Sequence, residues 1–244
     1  MAPSPWSWYP AWAELVAIAL LSVAYALAAR RLGASPGRVV AFAASQLLLV
    51  AVFVTPVGTL ALEYLLAAHL FQNVAVAEWA PALAVLAVSA PMERALARSR
   101  LVRALTRPLL ALPLWLATYA IWHVPAVYDA ALRNHALLLL EHATYFLAGL
   151  ALWWPVFREE PWRLSSGARA AYVFAAFVLG SPLGLLLTLL PEPIYHFYEE
   201  TPRIWGLSPL TDQEIAGVIM AASEATLFFA IFVLFLLRFL REEA

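Results

Sequence analysis

Long apolar stretches are the feature of this sequence that most restricts its fold. Of the 244 residues, 64% are hydrophobic and 13% are charged, whereas about 25% are charged in an ordinary soluble domain. A helix needs about 20 apolar residues to cross a bilayer. The candidate spans are residues 11–29, 39–60, 64–90 (interrupted near Pro81), 109–124, 137–157, 170–190 and 215–239.

These stretches predict an all-α integral membrane protein with seven transmembrane helices. A closed β-barrel would instead show short strands in which apolar and polar residues alternate, and the stretches here are continuous and rich in Ala and Leu. The connections between them are short and include no linker or internal repeat. We therefore expect residues 1–244 to form a single polytopic helical domain.

The distribution of arginine predicts the orientation of the chain. All 15 basic side chains are arginines, and all but Arg133 and Arg203 lie in the connections after the first, third and fifth stretches or in the C-terminal tail. Cytoplasmic loops carry the excess of positive charge in membrane proteins. The N-terminus is therefore predicted outside and the C-terminus in the cytoplasm, in the cell membrane, which agrees with an odd number of spans.

The segment 91–107 carries five of these arginines at helical spacing, interleaved with leucines. This pattern predicts an amphipathic helix on the cytoplasmic surface that contacts membrane lipid; docking of a specific partner is the alternative. The formal net charge of the chain is only −1. Nothing in this charge balance supports a nucleic-acid partner.

All five histidines fall on the predicted outer side of the membrane. Imidazole is the commonest metal ligand, and polar groups at membrane depth usually face the interior of the bundle. We therefore expect an outward-facing metal site. On their depth along the helices, the predicted ligands are His69, His123 and His142, while His135 and His196 are weaker candidates that also suit an ordinary position at the membrane interface.

The remaining composition narrows the chemistry of such a site. The chain has no cysteine and three methionines, which excludes disulfides and thiolate ligands and leaves His or Met for a copper site. It has no lysine, which excludes a retinal Schiff base. Glu78, Glu141 and Glu224 lie in the spans and could form a proton or cation path, with hydrogen bonding inside the bundle as the alternative.

Several motifs resemble one known family. They are Trp122-His123-Val-Pro-Ala-Val-Tyr128-Asp129, Glu141-His142, Trp153-Trp154-Pro155, and Pro209-Leu-Thr-Asp212-Gln213 running into a span with Gly217. From about Leu60 to the C-terminus, the chain is similar to the multi-span CtaG family of cytochrome c oxidase assembly proteins. The resemblance implies seven transmembrane helices and a role in building the oxidase, with supply of copper as the usual suggestion.

The match carries over residue by residue, with one departure. His69 corresponds to the first histidine of the family pattern His-Met-x-x-His, but Leu70 replaces the methionine and Asn73 the second histidine. His123, His142, Asp212 and Gln213 match their motifs. We expect Asn73, Glu141, Asp212 and Gln213 to surround the ligands or to line the rim, although Asp212 or Thr211 could instead be the N-cap of the last helix.

The sequence therefore predicts a non-enzymatic assembly factor that binds copper at the outward-facing histidines and assists its delivery to the oxidase. The expected partners are an oxidase subunit or a copper chaperone, and the oligomeric state stays open. Two alternatives remain. One is a transporter of copper or a small solute, and the other is a haem-binding membrane cytochrome with two histidines as axial ligands.

Overall fold

A computed structural model describes residues 3–243, so Met1, Ala2 and Ala244, which the predicted single domain includes, lie outside the described residues. The described part is helical and contains no strand. The helices are α1 (Trp12–Leu32), α2 (Pro36–Val54), α3 (Pro56–Glu63), α4 (Leu66–Val74), α5 (Ala80–Ala87), α6 (Ala90–Leu96), α7 (Arg100–Leu105), α8 (Pro108–Trp122), α9 (Pro125–Arg133), α10 (His135–Phe157), α11 (Ser166–Gly180), α12 (Pro182–Leu189), α13 (His196–Glu200) and α14 (Pro209–Glu242).

Six helical segments in the described residues are long and apolar enough to cross a membrane. They are Trp12–Leu32, Pro36–Val54, Leu66–Ala87, His135–Phe157, Ser166–Leu189 and Pro209–Glu242. A seventh span results only if α8 and α9, which meet at an angle of 74°, count as one. The chain is therefore an all-helical membrane protein with six or seven candidate spans.

Two predicted helices end earlier than their hydropathy indicates. The stretch 39–60 is interrupted because α2 stops at Val54 and Pro56 begins α3, with the side chain of Thr55 accepting a hydrogen bond from the amide of Val57. Instead of one amphipathic helix over 91–107, the structure has α6 and α7. Ser99 breaks the segment because its extended backbone and side-chain oxygen cap α7 at the amide of Val102.

The third candidate span contains a π-helix between α4 and α5, at Ala75–Trp79. A π-helix holds one residue more than the α-helical repeat allows and often marks a functional site. Here it places Glu78 in the interior of the bundle, where the side chain is fully buried. It also brings the backbone of Ala77 next to α10 at Gly149, where a Cβ atom would lie only 2.2 Å from the Ala77 carbonyl oxygen.

The helices pack around α14, which contacts α4, α11 and α12, while α10 contacts α5, α8 and α9. In contrast, α1 lies at the edge and touches mainly α2 and α6. This packing gives the bundle two distinct ends. We call the end at which α1 and α10 begin the histidine end and the opposite one the arginine-rich end. At the arginine-rich end, Arg38 and Arg158 both donate to the carbonyl of Val88.

Candidate metal centre

The structure separates the five histidines into a buried set and an exposed set. His69, His123 and His142 have exposed fractions of 0%, 5% and 5%. His135 is exposed at the start of α10, and the side chain of His196 is 75% exposed at the start of α13. A possible metal centre in the bundle is therefore restricted to the three buried histidines, which lie on α4, at the C-terminus of α8 and on α10.

His69 is held by a tyrosine on the short helix α13. Its Nδ1 atom lies 2.7 Å from the hydroxyl of Tyr198, and that hydroxyl donates to the carbonyl oxygen of Ala61 at 2.6 Å. A tyrosine hydroxyl has one hydrogen to donate, so it accepts from Nδ1 of His69. The Nε2 atom of His69 consequently carries the lone pair, and it is buried with no hydrogen-bond partner.

His123 has the same arrangement of its ring nitrogens. Its Nδ1 donates to the backbone carbonyl of Tyr119 at 2.9 Å, and the hydroxyl of Tyr145 is 3.3 Å away. Its Nε2 is buried and unpartnered. The ring of Tyr128 packs against both histidines, with its centre 5.3 Å from the ring centre of His69 and 6.0 Å from that of His123. Metal-bound histidines usually donate the second N–H in this way, which fixes the tautomer.

His142 faces a carboxylate that the sequence reasoning did not single out. Glu14, in the first turn of α1, is 7% exposed, and its Oε1 lies 3.4 Å from Nδ1 of His142. The contact lacks the geometry of a hydrogen bond, so both ring nitrogens of His142 and Oε2 of Glu14 are unpartnered. A carboxylate within a predicted span is itself a signal of function and could have identified Glu14.

Asn73, the departure from the family pattern, pairs with Glu141. Its Nδ2 donates to Oε1 of Glu141 at 3.0 Å, which connects α4 to α10. Asn73 is 2% and Glu141 1% exposed, and Oδ1 of Asn73 and Oε2 of Glu141 have no partner. The side-chain amide of Asn73 thus contacts Glu141, which precedes His142 in the chain. Because an asparagine stands where the family pattern has a second histidine, this position adds no imidazole to the cluster.

Asp212 and Gln213 join separate segments of the chain. The N-cap of α14 is Ser208, which accepts from the amide of Thr211; the expectation of an N-cap at Thr211 or Asp212 is therefore wrong. Asp212 instead accepts hydrogen bonds from the amides of Leu66 at 2.8 Å and Ala67 at 3.0 Å. It thereby caps α4, the helix that carries His69.

Gln213 performs a similar connecting role for the loop before α13. Its Oε1 accepts from the amide of Ile194 at 2.8 Å, and its Nε2 donates to the carbonyls of Leu187 and Glu192. The side chain is fully buried. These bonds position the loop that leads to Tyr198 and so act on the surroundings of His69.

Two further carboxyl groups lie deeper in the bundle. Oε1 of Glu78 accepts from the hydroxyl of Tyr119 at 2.6 Å, whereas Oε2 has no partner. Glu224 on α14 is 1% exposed, and neither of its carboxyl oxygens has a partner. None of the ion pairs formed by residues 3–243 includes either side chain.

The separation of His69 and His142 is close to that of two imidazoles on opposite sides of one metal ion. An imidazole nitrogen lies about 2 Å from a first-row ion that it binds, so two rings that share an ion have centres about 5 Å apart in a tetrahedral site and about 6 Å apart when the ion lies directly between them. The observed separation is 6.4 Å. Within the described range, no group of three or more His, Cys, Asp or Glu side chains is arranged to hold a metal ion.

Comparison with known proteins adds the family. No curated protein and no solved structure matches the chain. A family model described as "cytochrome c oxidase caa3 assembly factor" matches residues 23–242, which include the three buried histidines and all of α14. The match covers most of the chain, and the protein therefore belongs to the CtaG family of cytochrome c oxidase caa3 assembly factors.

Proposed function

We propose that this assembly factor holds copper between His69 and His142 and passes it to the oxidase, without catalysing a reaction. The observation that carries the proposal is the pair of buried imidazoles with ring centres 6.4 Å apart and unpartnered Nε2 atoms. Leaving buried polar groups unpaired costs about 1–3 kcal/mol each. Such a cost is offset when a ligand takes up the free lone pairs.

The donor set suits copper that is bound transiently. Imidazole nitrogens are good copper ligands, and a site without thiolates holds monovalent copper less firmly than a cysteine site. With only two imidazoles, the ion keeps open positions for a ligand from a partner, as handover requires. His123, whose Nε2 is also free and whose ring also packs against Tyr128, is a reserve ligand.

We further propose that the N-terminus is outside the cell membrane and that the cluster faces outward. The support is the distribution of charge. Arg30, Arg31, Arg38, Arg158 and Arg169 all lie near the arginine-rich end, and cytoplasmic loops are enriched in such residues. In this orientation copper arrives from an external chaperone or from solution, and an oxidase subunit with an external copper site is the recipient.

A transporter is the second candidate, because polar contacts continue from the cluster into the bundle. His123 bonds to the backbone of Tyr119, whose hydroxyl bonds to Glu78. Copper flux into proteoliposomes that Glu78→Gln abolishes would favour it over assembly. A haem cytochrome has less support, since Tyr128 packs 5.3 Å from His69 and Phe53 packs 4.7 Å from His142, where a porphyrin would need room.

Metal analysis of the purified protein tests the copper proposal. After loading with monovalent copper under reducing conditions, the wild-type protein should retain about one copper per chain, and His69→Ala and His142→Ala should each lose most of it. His135→Ala and His196→Ala are matched controls because both side chains are exposed. Unchanged copper in the first pair, or equal loss in all four variants, would overturn the assignment.

A further inference from the structure

A groove separates α1 from the rest of the bundle along most of its length. A cavity of about 550 Å³ lies beside the first part of α1, with Glu14 and His142 in its wall. A second cavity of about 440 Å³ lies beside the later part. The two share Leu21, Ala24, Phe146 and Leu150 and are therefore adjacent.

The groove has the length and the surface of a lipid-tail site. It follows α1 from Glu14 to Leu32, which is about 27 Å at 1.5 Å per residue and close to the thickness of a bilayer core, about 30 Å. Between its ends the wall of the groove is apolar except for Tyr25 and Gln46. The hydroxyl of Tyr25 is already engaged, because it donates to the carbonyl of Ala87, and Gln46 is only 8% exposed.

The volume of the groove suits a hydrocarbon tail. The two cavities measure about 550 and about 440 Å³, which is enough for a single tail laid along α1.

The histidine end of the groove supplies hydrogen-bonding groups for a head. Oε2 of Glu14 and both ring nitrogens of His142 are buried without partners. His142 lies seven residues into α10, about 10 Å from the start of that helix. A phosphate stays at the interface and is repelled by a carboxylate, so the head that fits is compact and uncharged and accepts a hydrogen bond, which the N–H of the His142 ring can donate.

We propose that the groove binds an isoprenoid quinone of the membrane. Its tail lies along α1, and an oxygen of its ring bonds to Glu14 or His142. This inference goes beyond the copper proposal and does not depend on it, since the groove exists whether or not the imidazoles hold a metal.

Native mass spectrometry of the full-length protein, reconstituted with a ubiquinone that carries a two-isoprene tail, tests the proposal. Ala24→Phe fills the groove where the two cavities join. Ala26→Phe is the matched control, because this exposed alanine on the same helix lines neither cavity. We expect one quinone on the wild-type protein and on the control, and at least tenfold less on Ala24→Phe. Equal retention in all three, or only phospholipid bound, would overturn the proposal.

A second measurement covers the case in which Ala24→Phe does not fold. Wild-type protein is photolabelled with an azido derivative of the same quinone, and the labelled peptides are identified. Label on α1 and α10 near Glu14 and Phe146 is expected. Label spread over the lipid-facing side chains of α11 and α14 contradicts a specific site. Copper retention measured on the same samples separates failure of this proposal from failure of the copper proposal.

Discussion

The hydroxyl of Tyr198 fixes which nitrogen of His69 carries the proton. It accepts from Nδ1 of His69 at 2.7 Å because its own hydrogen goes to the carbonyl of Ala61 at 2.6 Å. The bare Nε2 is therefore the nitrogen available to a ligand. Since Tyr198 lies on α13 and His69 on α4, the state of the imidazole depends on the docking of α13.

Removing this hydroxyl should weaken copper binding and leave the number of sites unchanged. Tyr198→Phe takes away the acceptor for Nδ1–H, and loss of such a supporting partner typically costs about 10–100-fold in metal affinity. We expect the apparent Kd for monovalent copper to rise by this factor in a competition titration with a chromogenic chelator, while about one copper per chain still binds at saturation.

Tyr172→Phe is the matched control for this experiment. The hydroxyl of Tyr172, on α11, has no hydrogen-bond partner, so its removal should leave the affinity for copper within about twofold of wild type. If Tyr198→Phe binds copper as tightly as Tyr172→Phe does, then copper binding does not depend on the bond that orients the His69 ring. That result would contradict the site formed by His69 and His142.

Loss of the Asp212 carboxylate should destabilise the protein through α4. Asp212→Ala leaves the buried amides of Leu66 and Ala67 without an acceptor. Hydrogen bonds to a charged group contribute about 1.5–3 kcal/mol each, so we expect a loss of about 2 kcal/mol or more, seen as a lower Tm in detergent. Copper per folded chain should stay near wild type, because the carboxylate oxygens are engaged by the backbone.

Asp129 provides an internal comparison for this effect. It caps the short helix α13 through the amides of His196 and Phe197, both at 3.2 Å, but this helix has only five residues, of which Tyr198 alone is buried. Asp129→Ala should lower the Tm less than Asp212→Ala does. A larger effect at Asp129, or loss of copper together with an unchanged Tm in Asp212→Ala, would point to a direct role of Asp212 in binding.

Hydropathy predicted the six helices that qualify as candidate spans in the described residues, but not where the apolar stretches break. The apolar stretches coincide with the long helices because the length of an apolar run directly reflects what a bilayer requires. The break at Thr55 and the π-helix at Ala75–Trp79 depend on local capping and on one inserted residue. Neither changes the hydropathy of the segment, so a hydropathy argument cannot detect them.

The three histidines predicted as ligands are buried in the structure, and His135 and His196 are exposed. The partners of these histidines were harder to predict. The bond from Asp212 to Leu66 joins residues 146 positions apart, and the contact of Glu14 with His142 depends on how α1 rests against α10. Such pairs follow from tertiary packing. A single sequence does not show which distant residues pack together.

The close approach of α10 to the π-helix predicts that Gly149 cannot be enlarged. A Cβ atom at this position would lie 2.2 Å from the carbonyl oxygen of Ala77 and 2.6 Å from Cγ of Pro81. Overpacking of this kind costs about 1–3 kcal/mol, so Gly149→Ala should lower the Tm and shift α10, with copper retention reduced because His142 moves with it.

Gly37→Ala is the control for Gly149→Ala. Gly37 lies in the first turn of α2, and a Cβ atom there would meet nothing within 4 Å. Because alanine favours helix formation over glycine by about 1 kcal/mol, this variant should be as stable as wild type or slightly more stable. A Gly149→Ala protein with wild-type Tm would show that the two helices are not in close contact.

The exposed pair of His196 and Glu199 should titrate independently of the buried cluster. The hydrogen bond and the charge of Glu199, with Oε2 3.2 Å from Nδ1 of His196, raise the pKa of His196 above its ordinary value. Because the pKa is raised on folding, this pair stabilises α13 fully below the ordinary histidine pKa, and the contribution is lost as the pH rises through the raised value.

Histidine-ring NMR of protein in nanodiscs measures this shift directly. Glu199→Gln should return the pKa of His196 towards its ordinary value, while Glu243→Gln, at the arginine-rich end of the bundle, should leave it where it is. Salt at about 1 M should also reduce the shift, because the pair is exposed and the Debye length then falls to about 3 Å. If the pKa of His196 stays raised in Glu199→Gln, its source is a group other than Glu199, and α13 gains no pH-dependent stability from this pair.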